Sequence, residues 1–209
     1  MLLDRNLILR TLSAACLIPL VGWLLFFAPH KVGVAFLALI YTGMVWEWHR
    51  MNKNRPHTAL YLLGHLYIAS SISVIYALIP LKFVLFLLLI LVWSNDIFAY
   101  LVGRTLGGPK LWPSASPSKT WSGFIGGVAL GTACTAWISS YFELSIGLST
   151  LLLLSLASHG GDLLESVCKR YYGVKDSSQI IPGHGGLLDR LDSLMAVAII
   201  YWILQKISF

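Results

Sequence analysis

Residues 81–104 read LKFVLFLLLILVWSNDIFAYLVGR. From Leu81 to Val92 the only charge is Lys82, and apolar character resumes at Ile97. A helix over 82–102 therefore has the roughly 20 apolar residues needed to cross a hydrocarbon core. Working outward, six further stretches of this kind lie at 7–28, 31–49, 59–79, 121–142, 147–168 and 187–207. Hydrophobic residues make up 57% of the 209-residue chain and charged residues 11%, against about 45–50% and 25% in soluble domains. Such a composition leaves no room for a separate soluble domain. It predicts an all-α fold, a polytopic transmembrane bundle of about seven spans forming one membrane domain over 1–209.

The basic residues predict an orientation. With the N-terminus in the cytoplasm, Arg5, Arg10, Arg50, Lys53, Arg55, Arg104, Lys110, Lys119, Lys169, Arg170, Lys175 and Arg190 fall inside, and Lys31, Lys82 and Lys206 fall outside. The asymmetry follows the positive-inside rule and puts the polar loops 103–120 and 169–186 on the cytoplasmic face. Arg5 and Arg10 before the apolar run 12–27 look like a secretory signal, but no small-residue cleavage site follows, so a retained first helix is expected. A net charge of +6 spread over short loops suits anionic lipid headgroups and phosphate-bearing substrates rather than nucleic acid. Cys16, Cys134 and Cys168 are scattered, which excludes a disulfide framework or a cysteine-based zinc site.

A carboxylate near the bilayer interior costs at least about 2.5–3.5 kcal/mol and needs a partner, a cavity or an ion. Helical spacing puts Asp96, Tyr100 and Gly103 on one face of the fourth span. In the sixth, Ser158, His159, Asp162, Glu165, Ser166 and Lys169 form a second polar stripe. The seventh opens with Pro182-Gly183-His184-Gly185-Gly186 and then Asp189-Arg190-Leu191-Asp192. Free N–H groups, a positive helix end and glycines there predict a phosphate cradle. Each feature has a plainer reading. Asp189 and Asp192 could simply complement the helix dipole, and Asp162 could pair with Lys169 or Arg170. His159 reads as a satisfied interhelical hydrogen bond at a close crossing, Glu47 as an interfacial residue in an aromatic belt, and Lys53 and Arg55 as orientation signals. Two helices presenting carboxylates beside cations and glycines favour a functional site, with oxygen donors suited to Mg²⁺.

The stretch Ser166-Val167-Cys168-Lys169-Arg170, then Lys175-Asp176, 182–186 and Asp189-Arg190-Leu191-Asp192 resembles the C-terminal signature of phosphatidate cytidylyltransferases. Asp96-x-x-Ala99-Tyr100-x-x-Gly103-Arg104 with Ser116-Pro117-Ser118-Lys119-Thr120-Trp121-Ser122-Gly123 resembles the same family's upstream motif. The resemblance implies transfer of a cytidylyl group from CTP to phosphatidic acid, giving CDP-diacylglycerol and pyrophosphate, by an integral protein of the bacterial inner membrane with a catalytic segment over 93–192. It implies Mg²⁺ held by Asp162 and Asp189, with a second cation left open, and a homodimer. Lys169 is the expected catalytic cation. Asp96, Ser116, Lys119, Ser166, Arg170, Lys175, His184 and Arg190 are the expected substrate contacts. Three departures stand out. Cys168 replaces a larger apolar residue, Ser118 and Ser122 stand where the family often has a base and an acid, and the chain is shorter than typical members, as if lacking N-terminal spans.

Other readings stay open at this point. Acyl and isoprenoid lipid phosphates would meet the same undifferentiated apolar surface. Intramembrane Asp96, Asp162 and His159 also suit a solute transporter, although no repeated halves are visible. An inactive scaffold would fit the altered Ser118 and Ser122.

Overall fold

The computed structural model describes residues 5–144, 146–181 and 185–207. Among the described residues, seven helices follow the apolar runs: α1 Arg5–Phe26, α2 His30–Asn54, α3 Thr58–Leu78, α4 Lys82–Leu106, α5 Trp121–Tyr141, α6 Leu148–Tyr171 and α7 Leu188–Ile207. Five of them, α2 to α6, are long and apolar enough to cross a membrane. In α7 the opening turns carry Asp189, Arg190 and Asp192, which interrupt the apolar run. Large apolar side chains stand outward without protein cover, among them Leu62, Leu63 and Leu66 of α3 and Trp137 of α5. Water is a poor solvent for such faces, and lipid is a good one.

One element departs from the all-helical expectation. Lys110–Trp112 (β1) and Ser116–Thr120 (β2) form an antiparallel hairpin between α4 and α5, with a register irregularity between Lys110 and Trp112. It hands the chain to α5 through Thr120, whose hydroxyl accepts from Gly123 N at 3.1 Å and caps the helix.

The chain divides into two compact units, one of residues 1–82 and 169–191, the other of 83–168 and 192–209. In the first, Met44, Glu47, Trp48 and Met51 form the buried stripe of α2 at helical spacing. Trp48 donates its indole N–H to Tyr61 O at 3.0 Å and meets the edge of Tyr172, itself 2% exposed. In the second, α4 supplies bulky leucines and α5 supplies small residues, Gly123, Gly126, Gly127, Gly131 and Thr135. A Cβ on Gly123 would lie 2.7 Å from Ala99 O, so α4 and α5 run nearly backbone to backbone there. Fully buried Asn95 of α4 answers its burial with two bonds to α6, donating to Ser155 O at 3.3 Å and accepting from Ser155 Oγ at 2.9 Å.

Candidate active site

Within the second unit, the end of α4, the hairpin, the start of α5 and the middle of α6 enclose a cavity of about 490 Å³. The α4 stripe expected from spacing is its wall, with Asp96, Tyr100 and Gly103 all lining it. From the hairpin come Lys110, Ser118 and Lys119, and from α6 come His159 and Asp162. Arg104, Lys110 and Lys119 against Asp96 and Asp162 leave the lining cationic, which suits an anionic ligand. Arg104 is held by the residue one turn back, donating to Tyr100 Oη at 2.5 Å with its guanidinium over the ring.

Lys119 and Asp162 form an ion pair in this cavity, each about a quarter exposed. Asp162 thus finds its counter-ion on the hairpin, not on the Lys169 or Arg170 expected from α6 itself. Its other oxygen accepts from Ser166 Oγ at 3.5 Å, one turn along the same helix. Ser116 lies outside the cavity lining, opposite Trp112 in the hairpin, while Ser118, two residues on, lines it. Ser122 pins the hairpin's approach by donating to Gly107 O and lying 3.0 Å from Thr120 Oγ1. His159 is 6% exposed and packs on Phe124 and Gly127 of α5. The close crossing is as expected, but the hydrogen bond is not, since its Nε2 has no partner among the described residues.

The first unit holds the other half of the predicted residues. Asp189, its side chain 4% exposed, takes Lys169 Nζ on Oδ1 at 2.6 Å. Its Oδ2 accepts from Ser177 N and Oγ, both at 3.0 Å, and from Gly186 N at 2.7 Å. Leu187 N and Leu188 N donate to Glu47, each at 2.9 Å. The N–H groups of 186–188, expected to be free for a phosphate, are therefore taken by protein carboxylates, and the 182–184 part of the expected cradle lies outside the described residues. Glu47 is corrected as well, since it is fully buried rather than interfacial. Lys175 lines a second cavity of about 500 Å³ with Arg50 and Asn54. Arg170 is exposed and donates to Val174 O at 3.0 Å, and Arg190 is exposed at the start of α7. Arg55 sits over the Tyr171 ring and donates to its carbonyl, a fixed contact for a residue read as an orientation signal. His184 lies outside the described residues.

Among the described residues, no three His, Cys, Asp or Glu side chains cluster as a ready-made metal cage. Mg²⁺ needs none, because it is held by one or two carboxylates with waters and substrate phosphates. The carboxylate oxygens of Asp162 and Asp189 are donors of the kind Mg²⁺ takes, and in this structure Asp162 Oδ2 and Asp189 Oδ1 are each paired with a lysine ammonium that such an ion would have to replace.

The model of the cytidylyltransferase family matches residues 58–208. Among curated proteins, the chain is 42% identical to a phosphatidate cytidylyltransferase of Brucella abortus biovar 1 (strain 9-941), over 78% of this chain and 61% of that protein. It is 37% identical to one of Bacillus subtilis (strain 168), over 87% and 61%, and 35% identical to one of Staphylococcus saprophyticus subsp. saprophyticus (strain ATCC 15305), over 94% and 80%. The chain spans about three-fifths of the length of the first of these relatives. The matched region holds the α4 stripe, the hairpin, the Lys119–Asp162 pair and the Lys169–Asp189 pair, and on that match the chain belongs to the cytidylyltransferase family.

Proposed function

We propose that this protein transfers the cytidylyl group of CTP to phosphatidic acid in the membrane. A phosphate oxygen of phosphatidic acid attacks the α-phosphorus of CTP, the α–β phosphoanhydride bond breaks, and CDP-diacylglycerol and pyrophosphate leave. The observation that carries this reading is the cationic cavity around the Lys119–Asp162 pair, built by helices apolar enough for lipid to reach them sideways. Transfer at phosphorus chiefly needs charge neutralisation and in-line positioning, with no protein nucleophile. Lys119, Lys110 and Arg104 supply the cations, and the planar fork of Arg104 suits a bidentate phosphate contact. Asp162 in one unit and Asp189 in the other are the proposed Mg²⁺ ligands, and the ion would supply neutralisation of phosphate charge there. Lys169 and Lys175 are the proposed phosphate contacts of the other unit, with Arg170 and Arg190.

The same reading includes seven spans, a cytoplasmic N-terminus, a site open to the cytoplasm and a location in the bacterial inner membrane. It rests for these on the distribution of basic residues between loops. A homodimer belongs to the reading through the resemblance alone.

The test is product identification by mass spectrometry after purified protein meets CTP, Mg²⁺ and a panel of acyl and isoprenoid lipid phosphates. CDP-diacylglycerol is the expected product. A CDP-isoprenoid product alone would replace the substrate, and nucleotide-independent solute flux in proteoliposomes would replace the reaction.

A further inference from the structure

We infer that Glu47 is a positioning residue, a buried carboxylate on α2 that holds Ser177, Ser178 and the start of α7 where they seat Asp189. Glu47 is fully buried, and no lysine or arginine pairs with it among the described residues. A bare carboxylate in such a place must be answered by hydrogen-bond donors. Four converge on it from two segments far along the chain. Oε1 accepts from Ser178 Oγ at 2.5 Å and Leu187 N at 2.9 Å, and Oε2 accepts from Ser177 Oγ at 3.1 Å and Leu188 N at 2.9 Å.

The same two segments make the seat of Asp189. Ser177 and Gly186 provide three of its four bonds, and the Ser177 hydroxyl touches both carboxylates. That hydroxyl has one proton, so the two acids compete for it and their positions are coupled. Gly186 has the same logic, because a Cβ there would run into the Glu47 carboxylate and the Ser177 hydroxyl. Glu47 also answers the positive end of α7 that a phosphate would otherwise meet. Glu47 itself lines neither cavity, so its influence on chemistry passes through what it holds: Ser177 and Ser178, which line the second cavity, and through Ser177 the Asp189–Lys169 pair.

Glutamine at this position has one acceptor oxygen and one NH₂ group. Either Leu187 N–H or Leu188 N–H would then face another donor, and a backbone N–H cannot turn away. Aspartate keeps two acceptor oxygens.

The kinetic part of the test rests on the proposed reaction, and the exchange part does not. Glu47→Gln, Glu47→Asp and Ser178→Ala are compared with wild type for kcat per folded molecule and for amide hydrogen exchange by mass spectrometry. Glu47→Gln is expected to lower kcat at least about tenfold, the scale on which small misplacements act. Exchange in 174–190 should speed up by about tenfold or more while α4 and α5 keep their protection. Glu47→Asp should recover most of the lost rate, and Ser178→Ala should show the same local loosening in smaller measure. If Glu47→Gln does not fold, Ser178→Ala decides by that local signature. Unchanged exchange at 174–190, glutamine serving as well as aspartate, or a loosened loop with unchanged kcat would each overturn the inference. A wild type without cytidylyl transfer, but with the expected exchange pattern, would remove the proposed reaction and leave the loop anchor standing.

Discussion

Lys119 and Asp162 meet across the cavity as a cation and an anion that a nucleotide would have to share. Replacing either should cost transfer far more than stability, because both side chains are partly exposed and such pairs contribute little to folding. Lys119→Met is expected to reduce turnover by about 10²-fold, the scale of removing one preorganised donor, with a melting temperature near wild type. Steady-state CTP turnover beside thermal unfolding of the same preparations checks this. Much of this cavity was legible in the sequence. Asp96 and Tyr100 fall one turn apart, and Arg104 follows by another turn, so the α4 wall could be read from spacing alone. Ion-pair choice could not. Asp162 lies 43 residues from Lys119, and helical periodicity says nothing about what a hairpin brings back. Glu47 was illegible for the same reason, since its four donors lie 130 to 141 residues downstream.

Helices were the easiest element to foresee, because each is built on a long apolar run and observed ends fall within a few residues of expectation. The hairpin was missed. Pro109, Pro113 and Pro117 punctuate it, and its exposed residues show no apolar alternation. Yet it delivers Lys119, so the elements that hold it should matter to activity. Thr120→Ala removes the α5 cap and is expected to cost about 0.5–2 kcal/mol. Gly123→Ala forces a Cβ against Ala99 O and should cost more, about 1–3 kcal/mol as overpacking does. Reversible unfolding in detergent ranks the two. The order reverses if the α4–α5 approach is looser than described.

At the scale of the whole molecule, five helices carry the membrane argument and the loop charges carry the orientation. With Cys16, Cys134 and Cys168 replaced by serine, Lys110→Cys should react with an impermeant maleimide from the cytoplasmic side only. Reaction from the opposite side would invert the proposed topology. The apolar outer faces, the cationic cavity and the two lysine–aspartate pairs fit one account, a lipid phosphate and a nucleotide meeting at a membrane surface. Transfer of label from CTP carrying it on the α-phosphate into the lipid phase, by the purified full chain with phosphatidic acid and Mg²⁺, tests that account most directly. It predicts label in CDP-diacylglycerol with wild type and at least about 10²-fold less with Asp162→Asn or Asp189→Asn. Unlabelled lipid with wild type, or full transfer by either variant, would contradict it.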